Sequence, residues 1–246
     1  MSESPMRTPL VQEPGPRLKR GEIVGGWIMM VVYTAVMAYV AEGISLLWEK
    51  LFGSSIGEKI LFVLPYFICF IACVIIFRRH LARELRMFGK NLGRCIITGI
   101  VGYAAIYAMS LVVNLILVIA GVDVTANPNQ NAIYEMYDTN RQALIASACM
   151  LGPLVEEVIY RSTVYGSIAR RNKIVAHIVN WFFFGAIHVV QFAFMYGDPK
   201  LLIHVLAYIP HSVGMAVVYE RSGSVWTCIF LHMIINIISI GTIGLM

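Results

Sequence analysis

The chain has 246 residues, 59% of them hydrophobic and 13% charged, with a mean hydropathy of +0.74 and a formal net charge of +5. An average soluble domain carries roughly 25% charged residues, so this composition excludes an ordinary soluble protein. The basic excess is read as membrane topology and contact with anionic headgroups; no nucleic-acid partner is expected.

The N-terminal stretch MSESPMRTPLVQEPGPRLKR is rich in proline and charge and has no apolar period. It reads as a disordered cytoplasmic tail over 1–21. The apolar run that follows lacks a clean A-x-A end, so an uncleaved anchor is expected rather than a signal peptide. Uncharged runs then recur at the length needed to cross about 30 Å of hydrocarbon, near 20 residues each. Seven spans are predicted, at 23–41, 60–77, 95–120, 142–168, 174–195, 201–219 and 224–245. The fold class is therefore all-α, a polytopic membrane helix bundle forming one membrane domain over 22–246.

Lys and Arg set the orientation. With a cytoplasmic N-terminus, that side holds four in the tail, six between Arg78 and Arg94, four from Arg161 to Lys173, and Arg221. The opposite side holds only Lys50, Lys59, Arg141 and Lys200. This is the asymmetry of the positive-inside rule. Five cysteines, Cys69, Cys73, Cys95, Cys149 and Cys228, fall in or beside the spans without a CxxC pair. They read as packing residues, neither a disulfide framework nor a metal cluster.

The first three spans have no His, Asp, Glu, Lys or Arg in their interiors, so 22–122 reads as scaffold and 140–246 as the part that holds the chemistry. The fourth span is different. QALIASACMLGPLV runs without a formal charge into EEVIYR, which places Glu156, Glu157 and Arg161 inside an apolar segment. Each such charge costs from about 3 to over 10 kcal/mol in hydrocarbon, so it implies function. Glu157 and Arg161 are i,i+4 with the acid first, the favourable order for an ion pair on one helix face. Glu156 lies about 100° around the helix without a local partner. Gly152 and Pro153 just before it are expected to break or kink the helix and free backbone carbonyls, which is tolerated where backbone lines an enclosed cavity.

Two further pairs share helix faces: Phe184 with His188 in FGAIH, and His232 with Asn236 in HMIIN. His177, His204 and His211 also lie within spans, and for these the expectation is packing or an interhelical hydrogen bond. Glu156 would then face a polar cavity made with His188 and His232, tuned as a general base by desolvation and a neighbouring imidazole.

At these residues the sequence resembles the CAAX protease and bacteriocin-processing family (CPBP, or Abi) of intramembrane proteases. The likeness runs from about Gln142 to Ile237. The EExxxR motif appears as Glu156 to Arg161, FxxxH as Phe184 to His188, and HxxxN as His232 to Asn236. The resemblance implies peptide-bond hydrolysis within the membrane, acting on a membrane-associated peptide or protein. Glu156 and His188 would activate a water, and His232 with Asn236 would donate to the oxyanion. Glu157, Arg161 and Phe184 would support the site. The family is described both as metalloproteases and as metal-independent glutamate proteases, so no cofactor is firmly implied. Zinc is the candidate metal, on Glu156, His188 and His232, although no HExxH helix is present. The compact chain suggests a bacterial cytoplasmic membrane, with peptide pheromone or bacteriocin maturation or immunity among the implied roles. Two other classes compete: a non-catalytic adaptor for a partner such as a sensor kinase, and a proton-coupled transporter.

Overall fold

The computed structural model describes residues 18–245, and most of the tail expected at 1–21 lies outside them. Among the described residues the chain is helical without strands, in seven helices. Helix α1 runs over 20–52, as Arg20–Val31, a π-helical turn Val32–Val36, and Met37–Phe52. Its start is fixed by Glu22, whose carboxylate accepts from the Lys19 backbone N–H at 2.7 Å. Helix α2 is Glu58–Lys90 and α3 is Leu92–Ile119. Helix α4 extends over Pro128–Ile168, α5 over Lys173–Tyr196, α6 over Pro199–Ser222 and α7 over Val225–Ile243.

Six helices among the described residues, α2 to α7, are long and apolar enough to cross a membrane. The expected span at 23–41 falls within α1, which is not among the six. Helix α2 outruns its expected end at residue 77 because RRHLARELRM has neither proline nor glycine to stop it. At 1.5 Å per residue its 33 residues make about 50 Å, more than the hydrocarbon needs. Arg78, Arg79, Arg86 and Lys90 are exposed on the extension, whereas His80 and Glu84 on its other face are fully buried. Helix α4 is longer too, gaining a polar first part, Pro128 to Asn140, capped by the Asn127 side chain. Asn140 breaks from helical geometry at φ −151°, ψ 49°, and the apolar part begins there.

Helix α4 is the axis of the bundle. From Gly152 to Gly166 every residue is buried, and α1, α2, α5, α6 and α7 all pack on it. By contrast α3 is mostly exposed along its length and meets α6 through close backbone approaches. A Cβ at Gly102 would collide with Val218, and one at Gly214 with Ile106. Small residues permit this approach, from which packing and hydrogen bonding gain where apolar burial drives little association.

Candidate active site

The site is built on two irregular turns of α4. Residues Ile145–Leu151 and Val158–Tyr165 are π-helical, and between them lies the short α-helical piece Gly152–Glu157. The first π turn has a local cause. Gly152 donates its N–H five residues back to the Ser147 carbonyl, so the next donor in that register would be residue 153, aimed at Ala148. Residue 153 is proline and has no N–H. The orphaned Ala148 carbonyl accepts from Asn236 Nδ2 at 2.7 Å instead. The disturbance expected at Gly152 and Pro153 is thus a π bulge, and a side chain of α7 satisfies it.

The two glutamates are committed differently. Glu157 is fully buried: Arg161 Nε donates to its Oε2 at 2.8 Å and Arg161 Nη2 to its Oε1 at 3.4 Å. His232 Nδ1 lies 2.8 Å from that same Oε1, and since a carboxylate only accepts here, Nδ1 is the donor. Glu156 is 9% exposed and accepts from the Tyr33 hydroxyl on Oε1 at 2.9 Å. Its Oε2 faces His232 Nε2 at 3.9 Å, beyond hydrogen-bond length. His232 therefore sits between both carboxylates, with its nearer contact to Glu157.

Phe184 is the hub of the ring cluster. The Arg161 guanidinium lies 4.9 Å over its face, and His211 stacks on it at 5.1 Å with the planes 1° apart. His188 and His232 approach it at 4.8 and 6.4 Å, and Tyr160 meets it edge-on at 5.3 Å. His188 donates Nδ1–H to the Phe184 carbonyl at 2.7 Å, which leaves Nε2 of the neutral ring as an acceptor. Tyr208 stacks on His188 at 4.5 Å.

The fold thus brings together Glu156, Glu157, Arg161, Phe184, His188 and His232, while the Asn236 amide reaches the bulge carbonyl. Three participants were not singled out from the sequence. His211 sits 4.5 Å from the His232 ring, whereas His177 bonds Tyr165 and His204 lies elsewhere in α6. Tyr33 and Tyr208 had no signal at all, being aromatic residues in apolar runs. Among the described residues the acid and imidazole atoms close enough to share a metal belong to Glu157, His211 and His232, within 4.8 Å of one another. These are not the zinc ligands expected, Glu156, His188 and His232. Nor do they suit a cation, because the Glu157 carboxylate is already held by a guanidinium and by an imidazole N–H.

A polytopic membrane helix bundle with two acids, an arginine and several imidazoles buried at its centre defines the class. Residues 139–238 match the family described as type II CAAX prenyl endopeptidase Rce1-like. The chain is also similar to the Bacillus subtilis (strain 168) protein named "Putative membrane peptidase YdiL", at 24% identity over 220 residues, 85% of each chain. No solved structure matches it. This likeness to CAAX-type membrane peptidases covers Glu156, Glu157, Arg161, His188, His232 and Asn236.

Proposed function

We propose that the chain is an intramembrane endopeptidase that cleaves a membrane-associated peptide or protein with a water activated by Glu156. The observation that carries this reading is the unequal commitment of the adjacent acids. Glu157 is committed to Arg161 and His232, while Glu156 Oε2 has no hydrogen-bond partner among the described residues. A general base needs such a free oxygen within reach of water.

In the reaction Glu156 Oε2 takes a proton from water while the hydroxide oxygen bonds to the scissile carbonyl carbon. His188 Nε2, left as an acceptor by the Phe184 contact, helps to hold that water. The carbonyl oxygen becomes an oxyanion and takes hydrogen bonds from His232 Nε2–H and from Asn236. His232 gives Nδ1–H to Glu157, so Nε2 donates to the oxyanion only when the ring holds both protons. Asn236 spends one amide hydrogen on Ala148 and has a second to offer. As the C–N bond breaks, the proton on Glu156 passes to the leaving amine. Every step is assigned to side chains of the chain itself, in keeping with the poor fit of the ligand set to a metal.

The distribution of Lys and Arg supports an N-terminus in the cytoplasm, and the likeness to the Bacillus subtilis protein supports a bacterial cytoplasmic membrane. The test is hydrolysis by the purified full-length protein in detergent. The probes are internally quenched peptides ending in a farnesylated Cys-aliphatic-aliphatic-X sequence, and the same peptides without the lipid. Cleavage that is lost in Glu156→Gln and His188→Ala and that survives prolonged chelation supports the reading. Parent-like turnover by either folded variant overturns it, and zinc lost and restored in step with activity overturns the metal-free form.

A further inference from the structure

A base works from a fixed position, and α4 supplies Glu156 with no intrahelical partner of its own. The constraint comes from α1, the helix most distant in sequence. Tyr33 is buried and stands in the π-helical turn Val32–Val36, and its hydroxyl donates to Glu156 Oε1 at 2.9 Å across 123 residues of chain. Three features hold it there. Gly26 lies where any Cβ would collide with Thr163, so α1 crosses α4 in close contact. The neighbouring Thr34 hydroxyl is 3.4 Å from Tyr160 Oη, a second contact to α4. The Tyr33 ring meets Tyr66 of α2 edge-on at 6.3 Å.

Helix α4 also keeps space for this contact. Gly152 is one turn before Glu156, and a Cβ there would stand 3.4 Å from Glu156 Oε1, 3.7 Å from Tyr33 Oη and 2.9 Å from the Ser147 carbonyl. The absent side chain leaves the hydroxyl and the carboxylate free to meet over that face.

We propose that Tyr33 is a positioning residue of the peptidase site: by holding Oε1 of Glu156 it makes Oε2, turned toward His232, the oxygen that receives the proton of water. The inference rests on the reading of Glu156 as the base. A donor fixed to one oxygen of a carboxylate restricts rotation of the group and thereby fixes the direction of proton transfer, which orientation-dependent catalysis rewards steeply.

Tyr33→Phe keeps the ring and removes only the hydroxyl. With the quenched peptides as probes, kcat falls by about 10- to 100-fold, the range of one hydrogen bond to a charged group, while KM stays within about twofold. A purely structural tyrosine would lower the folded fraction and leave kcat per folded molecule unchanged. Glu156→Gln separates the two ideas. If that variant turns over like the parent, the peptidase reading fails; if it is inactive and Tyr33→Phe keeps parent kcat, only the positioning role is overturned. A second measurement needs no substrate. In a cycle of thermal midpoints, Tyr33→Phe lowers the midpoint of the parent and has no effect in a Glu156→Met background. Equal effects in both backgrounds overturn the proposal.

Discussion

Two buried acid–imidazole clusters lie in this bundle, and they are built from similar parts that are bonded differently. In the site, His232 Nε2 stands 3.9 Å from Glu156; at the joint between α2 and α7, His80 Nε2 stands 3.7 Å from Glu84. The joint is closed. Glu84 Oε2 accepts the Val225 N–H at 2.9 Å and so caps the start of α7, and the Glu84 carbonyl accepts the Ser224 hydroxyl at 3.0 Å. Trp226 Nε1 donates to the Leu81 carbonyl at 3.0 Å, and His80 lies 2.9 Å from the Ser162 hydroxyl, next to Arg161 on α4. Glu84 has no exposure at all, whereas Glu156 retains 9%. A buried acid beside a histidine is therefore no mark of catalysis by itself. What separates the clusters is whether the carboxylate serves a helix terminus or keeps an oxygen within reach of water.

The comparison breaks most visibly at Glu156. Glu156→Gln is expected to lower turnover by a factor of about 10² to 10⁴, the range of a general base, with an unchanged thermal midpoint in detergent. A variant that loses stability in proportion to activity would place Glu156 with Glu84 among the structural acids. Next in size are the partners within the site. Glu157→Gln or Arg161→Gln alone leaves the other charge buried and uncompensated, at about 3 to 5 kcal/mol. Their thermal midpoints and membrane yields should fall sharply, and the double change should recover stability relative to either single one. Additive losses would show that the two side chains do not depend on each other.

At the joint the pattern should invert. Glu84→Gln weakens the cap of α7, with an expected loss of about 1 to 3 kcal/mol in thermal or denaturant unfolding, while turnover per folded molecule stays at the parent level. Loss of turnover at an unchanged midpoint would mean that the joint takes part in the chemistry. Smallest is Ser162→Ala, which removes the hydroxyl facing His80. It should cost about 0.5 to 1.5 kcal/mol and leave kcat alone; a changed kcat would indicate that the joint transmits to Arg161 one residue away.

Much of the architecture was legible in the sequence because hydrocarbon imposes it. Backbone groups in a bilayer must be satisfied internally, so long uncharged runs become helices and their ends fall near charges, prolines and glycines. The six spanning helices follow the predicted runs from 60 onward. The motif spacings also place Glu157 with Arg161, and Phe184 with His188, on common faces, because i,i+4 neighbours meet on any helix. Where the helices are irregular or overlong, the reading stops short. No charge rule shows that α2 continues to Lys90 with one face buried, so nothing in the sequence marked His80 and Glu84 as interior residues.

Composition and local periodicity by themselves determined that this protein is a membrane helix bundle and that Glu156, Glu157 and Arg161 carry charge into an apolar run. The tertiary structure alone decided what each polar atom meets. Asn236 bonds the Ala148 carbonyl because Pro153 cannot, Tyr33 reaches Glu156 from α1, and His211 joins the rings around Phe184 while His177 and His204 do not. The reason is physical. Local spacing sets which side chains share a helix face, but the rotation and depth of one helix against another are set by packing along their whole length, and a hydrogen bond is made or lost within a few tenths of an ångström.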